Sequence, residues 1–340
     1  MHRSLAAVLL VACGGHAPVA TTQAAAILTW TRLASGTTES LRGLSVVSRD
    51  VAWASGTNGT VLRTIDGATW SRCATPPGAE ALDLRSLEAL DAAHAVVISA
   101  GSPAHAFVTR DACASWTETY TRQGEGVFFD SLVLRDRAGL ALGDPLPTAD
   151  GSRFMLLASD DDGLTWQARE GPLAEAGEAA FAASNGCIAW PSADVVLFAT
   201  GGLASRVFRS TNAGVSWSSA RVPVPSSASA GVFAIAFRDP SVGYAIGGDY
   251  AAPTMPGSFA STADGGATWQ LGASPRGYRS SIAIAFADLL VVGMTGSDVS
   301  HDDGASWIPF DDAALNTVRT FDRDAYAVGP NGTITRLTSR

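Results

Sequence analysis

The sequence predicts an all-β fold, a seven-bladed β-propeller whose last blade is closed by the N-terminal strand. A short phrase recurs six times and ends each time in tryptophan, at Trp70, Trp116, Trp166, Trp217, Trp269 and Trp307. Its spacings of 46, 50, 51, 52 and 38 residues are those of one four-stranded blade rather than of a helical repeat. Upstream of each phrase runs an alternating strand, a short turn and an apolar strand ending near glycine. After the last tryptophan a further copy of this pattern begins and stops one strand short.

Taken in order, residues 1–26 read as a signal peptide and tether, and residues 27–340 as the propeller. A basic start at Arg3 and the apolar stretch 5–12 lead to Leu10, Val11, Ala12 and Cys13, which resembles the lipobox of bacterial lipoprotein signals and would place a lipid on Cys13. A plain export signal cleaved later, near residues 17–26, and a cytoplasmic protein are the other readings. Residues 27–30, ending at Trp30, have the composition of an outer strand. In blade one the strands fall at 41–47, 51–54 and 61–63, and Asn58-Gly59 supplies the hairpin turn. Paired strands of the next blades fall within 86–98, 131–142, 179–199, 233–246 and 281–292. The seventh has 317–321 and 326–329, then Asn331-Gly332 and a third strand. Trp30 and its strand supply the missing fourth and remove the free sheet edges. Six or eight blades are the alternatives.

Aligned on tryptophan, the phrases place Asp66, Asp111, Asp161, Asp264 and Asp302 at one position and Asn212 at the same position in the fourth copy. The third copy reads Ser-Asp-Asp-Asp-Gly-Leu-Thr-Trp over 159–166. The second has Cys113 in the glycine place, and the first is one residue short. These residues make a hairpin turn: Asp accepts backbone N–H groups, glycine takes a conformation awkward for other residues, and the Ser or Thr hydroxyl bonds locally. Tryptophan then leaves the turn into apolar space.

Composition narrows function by exclusion. All 23 basic residues are arginine, so neither a Schiff-base lysine nor a phosphate-loop lysine is available. The net charge of −9 is spread along the chain, and without a basic tract nucleic acid is not an expected partner. Apolar runs fall short of a membrane span, leaving a lipid on Cys13 as the only membrane contact. Cys73 and Cys113 lie near neighbouring phrases, so they either bridge two blades or stay free and buried. Cys187 has no evident partner.

The phrase resembles the Asp-box, or bacterial neuraminidase repeat, of sialidases, sortilin-type receptors and several glycoside hydrolases. With its Val-Gly or Ile-Gly strand ends and Asp-Gly-Gly-x-Thr-Trp turn, the whole blade is more similar to the photosystem II stability/assembly factor-like propellers. That resemblance spans 27–340. It implies an exported or lumenal ring that binds a protein or peptide during assembly of a membrane complex; the chain is further expected to be a monomer and to carry no cofactor. Photosynthetic members are associated with an arginine patch.

Propeller connectivity places the Asp-boxes on one face and the innermost strand starts on the other. There Arg42, Arg85, Arg279 and Arg319 are expected to ring the channel mouth, with Asp130 nearby. The longer loops 143–151 and 247–257 add Asp144, Asp249 and Tyr250 to that surface. The arginines either grip carboxylates or phosphate by forked hydrogen bonds, or they are solvated and paired with Asp130, Asp144 and Asp249. On this reading, replacing Arg42, Arg85 and Arg279 together by alanine leaves the fold intact and abolishes capture of the partner.

A glycan-active or glycan-binding propeller is the rival. It would need an arginine triad and a tyrosine nucleophile with a glutamate partner, but no Arg-Ile-Pro signature precedes the first box and no motif sets a glutamate beside Tyr278. Asp130, Asp144 and Asp249 could furnish a carboxylate pair. His94, His105 and His301 are scattered, and the 160–162 aspartates lack the spacing of a calcium loop. Redox chemistry has no cofactor motif to rest on.

Overall fold

A computed structural model describes residues 28–285 and 287–337. Among them, seven antiparallel sheets stand around a ring, one per blade. Blade one holds Leu41–Val46, Ala52–Gly56, Val61–Thr64 and Ser71–Arg72, from the innermost strand outward. The innermost strands of blades two to seven are Asp83–Ala89, Phe129–Arg135, Ile188–Ala189, Ser227–Phe237, Ser281–Ala285 and Thr317–Phe321. Each touches the innermost strand of the next blade, and the seventh touches the first, so the ring is closed.

The N-terminal strand makes that closure. Thr31–Leu33 pairs antiparallel with Ile334–Leu337, Thr31 opposite Arg336 and Leu33 opposite Ile334. It therefore begins just after Trp30 instead of ending there, and Ile27 lies outside the described residues. The other six outermost strands obey the same rule, starting at Ser71, Thr117, Gln167, Ser218, Gln270 and Ile308, each one residue past a repeat tryptophan. Trp30 is the seventh member of that set without its turn. It is buried, and its Nε1 donates to Ser297 Oγ of blade six at 2.9 Å.

The core lies between blades rather than at one centre, because both faces of each sheet are covered by neighbours. Val96 and Ile98 of blade two pack with Leu132 and Leu157 of blade three. Across the closure, Leu41 and Leu62 pack with Tyr326 and Ile334. All five residues of Ala52–Gly56 are buried, as expected where successive side chains enter opposite interfaces.

The repeated turns have the predicted chemistry. In blade three Ser159 Oγ donates to Asp161 Oδ1 at 2.8 Å and accepts the Gly163 N–H at 2.9 Å. Asp161 also takes the Thr165 N–H at 2.9 Å and the Thr165 hydroxyl at 2.7 Å. The same set recurs at Asp111, Asp264 and Asp302. Asn212 keeps the backbone contact through Oδ1 and donates to Ser216 Oγ from its amide. These bonds favour the ionised carboxyl: the Thr268 hydroxyl and N–H and the Thr262 hydroxyl hold Asp264 down at about 2. Shorter by one residue, the first turn uses Asp66 to take the Ala68 and Thr69 N–H groups at 2.9 and 2.7 Å.

The box glycine meets two demands. Gly304 has φ +84°, and a Cβ there would lie 2.1 Å from the Phe259 ring of blade five. In blade two Cys113 takes this place at φ 63° and bonds Cys73 of blade one, with Cα atoms 5.3 Å apart. The position that presses on the preceding blade in other copies is joined covalently to it here.

Two expected loops differ in kind. Residues 143–151 are mostly strand: Ala138–Thr148 and Gly151–Ser159 form one long hairpin with a bulge between Gly143 and Pro145. Only 250–257 is a true loop, between Gly243–Asp249 and Ser258–Thr262. Blade four departs furthest from the repeat. Its innermost strand is Ile188–Ala189, not a strand from 179, while Glu178–Ala179 pairs with Gly201–Gly202 and joins the sheet of blade five.

Candidate functional site

The irregular segment 170–187 makes the site. Arg206 anchors its start: Nε donates to Glu178 Oε1 at 2.9 Å and Nη2 donates to the Leu173 carbonyl at 2.9 Å. Arg221 holds Glu175 at 2.7 Å, and Arg153 reaches the Gly171 carbonyl at 2.9 Å. The chain then turns into the centre of the ring. Ser184 Oγ donates to the Ser280 carbonyl of blade six at 2.6 Å. Asn185 Oδ1 accepts the Leu132 N–H of blade three at 2.7 Å, and its amide donates to Glu88 of blade two at 3.0 Å. Gly186 accepts the Ile235 N–H of blade five at 2.9 Å. Small side chains at Ala182, Ala183, Ser184 and Gly186 let a backbone occupy this space, and Asn185 turns it at φ 53°. The expected open channel is plugged.

Above the plug, on the face opposite the Asp-boxes, lies a cup of about 530 Å³. Its floor is Ala179 to Ala183, and the wall from blades one to three carries Arg42, Arg85, Phe128, Asp130 and Asp144. The far wall is aromatic. Phe181 stacks on Phe233 with ring centres 4.1 Å apart, Tyr278 meets Phe233 edge-on at 4.8 Å, and Tyr250 stands edge-on to both phenylalanines at 6.2 Å. Tyr250 and Met294 are exposed at the rim.

Arg42 Nη1 donates to the Ala183 carbonyl at 3.2 Å, and among the described residues it has no ion-pair partner. Burial, then the charge of Arg85, lowers its pKa. Arg85 pairs with Asp83 at 2.6 Å and lies 5.9 Å from the Phe128 ring centre. Burial, helped by Asp144, raises Asp130 well above the ordinary carboxylate range. Asp144 is pushed up to about 6 by burial, although it accepts the Ala180 N–H at 3.2 Å.

Of the expected site residues, Arg42, Arg85, Asp144 and Tyr250 meet in this cup. Arg279 does not. It is fully buried, its Nε donates to Asp298 Oδ2 at 2.7 Å, and Nη1 reaches Thr295 Oγ1 at 2.8 Å. Removing it would leave buried Asp298 with only Arg276, so the triple-alanine variant is a hazard to folding rather than a neutral probe. Arg319 lies beneath the plug, donating to the Asn185 carbonyl at 2.7 Å and facing Glu88 in a smaller cavity on the other side. Asp249 turns its own loop by accepting the Ala251 N–H at 2.9 Å. Phe181, Phe233 and Phe128 escaped sequence reasoning. The only signal was one aromatic residue in a run of small ones, 179–186, where the blade pattern fails.

Elsewhere the chemistry is sparse. His94, His105 and His301 stand apart, against Asp91, Glu118 and Asp288. Among the described residues, no three His, Cys, Asp or Glu side chains are gathered in metal-binding geometry, and no helix is long and apolar enough to cross a membrane. The Cys187 thiol is buried and pushed up to about 12, chiefly by burial, so it is unreactive. Cys13 lies outside the described residues.

No protein-family model matches the chain, and no curated protein matches it. Solved structures do resemble it in fold. YCF48 from Cyanidioschyzon merolae is 16% identical, with 91% of this chain and 98% of that one covered at a TM-score of 0.64. A structure of YCF48 bound to D1 peptide is 15% identical, covering 92% and 97% at a TM-score of 0.63. Virginiamycin B lyase from Staphylococcus aureus is 11% identical, covering 92% and 99% at 0.67. A peptide-bound protein and a lyase fit the same frame about equally, so these likenesses establish a propeller and leave activity to the site.

Proposed function

We propose that the protein is a non-enzymatic binding propeller whose cup receives a segment of a protein or peptide partner, in the manner of an assembly or stability factor for an envelope complex. One observation carries the reading: an aromatic wall and two arginines, one with no carboxylate partner among the described residues, converge on a preformed concavity at the end of a rigid ring. Aromatic and arginine side chains in a concave, partly desolvated site are the usual anchors of protein recognition. The peptide-bound YCF48 structure, similar in fold, supports the same choice. The Cys73–Cys113 bridge supports export to an oxidising compartment, with or without a lipid on Cys13.

The test is capture of partners from envelope extracts by the full chain and by an Arg42→Ala/Arg85→Ala variant. Both arginines are partly exposed, and the affinity of the variant for the captured partner should fall at least tenfold, with thermal melting as the check that it remains folded. Equal capture by both proteins would refute this site. Release of product from sialosides or β-glucan oligosaccharides would favour the glycan reading instead.

A further inference from the structure

The acidic end of the cup is not used by that reading. Asp130 is 1% exposed and lines the cup, yet its Oδ2 has no hydrogen-bond donor among the described residues. Around it stand Asp144 of its own blade, Arg85 of blade two, the Ala182 N–H of the plug and the Cys187 thiol. Arg85 already pairs with Asp83, and Arg42 donates to the Ala183 carbonyl. Fully ionised, Asp83, Asp130 and Asp144 would face Arg42 and Arg85, and one negative charge would have no counterpart. An uncompensated buried carboxylate is unfavourable, so the pair retains a proton instead. Burial acts in that direction on both, pushing Asp144 up to about 6, and the charge of Asp144 adds to it at Asp130.

A cation would satisfy the pair more fully than a proton does. The far wall offers the faces and edges of Phe181, Phe233, Tyr250 and Tyr278, and an aromatic surface beside a buried carboxylate attracts organic cations. We propose that Asp130 and Asp144 form a receptor for an organic ammonium group of the ligand, which displaces the proton they hold. The ammonium keeps its hydrogens, the displaced proton goes to solvent, and no covalent bond changes. This inference rests on the cup being the binding site. It narrows the ligand to one bearing positive charge at the blade-three end and anionic or apolar character toward Arg42.

The experiment is calorimetric titration of the full chain with 2-phenylethylamine, alongside 2-phenylethanol and 3-phenylpropionate, in two buffers of different ionisation enthalpy. The amine should bind with release of about one proton, and its affinity should accordingly rise by roughly tenfold per pH unit between about pH 5 and pH 7. Asp130→Asn should weaken it at least tenfold; Asp144→Asn provides a second variant, and thermal melting checks both folds. Amine binding that equals that of the alcohol, or that ignores pH and both substitutions, overturns the receptor. Silence of the amine does the same. If 3-phenylpropionate still binds, and is lost in Arg42→Ala/Arg85→Ala, the cup stands as a ligand site and only the ammonium receptor falls.

Discussion

At the scale of single residues, position on a strand did not reveal what an arginine does. Arg42, Arg85, Arg279 and Arg319 all begin or adjoin innermost strands, yet two face the cup, one is locked to Asp298 and one lies under the plug. The partner decides, and Asp298 lies 19 residues further along the chain, on the third strand of blade six. Glu88, beneath the plug, tests the electrostatics. Burial raises its pKa to about 7, against the pull of Arg319 and the Asn185 amide. A carboxyl raised on folding contributes stability that is full below its unfolded value near 4.5 and is lost as pH rises through about 7. Wild type should therefore lose on the order of 2 kcal/mol relative to Glu88→Gln between about pH 5 and pH 8. Chemical denaturation at several pH values measures this, and a difference independent of pH would contradict it.

Among the elements, the repeated turns were legible almost atom by atom, because each is local: Asp, Ser or Thr, and glycine within a few residues close their own hydrogen bonds. Segment 170–187 was not, since its small residues carry no period and its conformation comes from contacts with six other blades or their strand ends. The Cys73–Cys113 bridge falls between these cases. A cysteine in the box glycine position implies an approach to the preceding blade, but only once that packing role is known. The bridge closes a separation of 40 residues, for which loop-closure entropy gives about 4 kcal/mol. Cys73→Ser, or reduction of the native protein, should lower unfolding stability by roughly that amount while leaving the far-ultraviolet spectrum intact; an unchanged midpoint would show that the bridge constrains nothing.

For the whole molecule, periodicity supplied blade number and closure, and Trp30 shows why: ring closure needs a seventh tryptophan, and the chain places it at the opposite end. Rigidity follows, because every blade is covered on both faces and the plug ties blades two, three, five, six and seven together at the centre. The face on which the cup opens could be chosen from connectivity alone. Its cup could not, being built by an insertion rather than by the repeat. The most direct measurement is amide hydrogen exchange of the protein with and without its captured partner. Protection is expected at 179–183 and 249–256, around Phe181 and Tyr250, with the Asp-box turns unchanged. Protection confined to the Asp-box turns, with the cup exchanging as before, would contradict the assignment of the binding site.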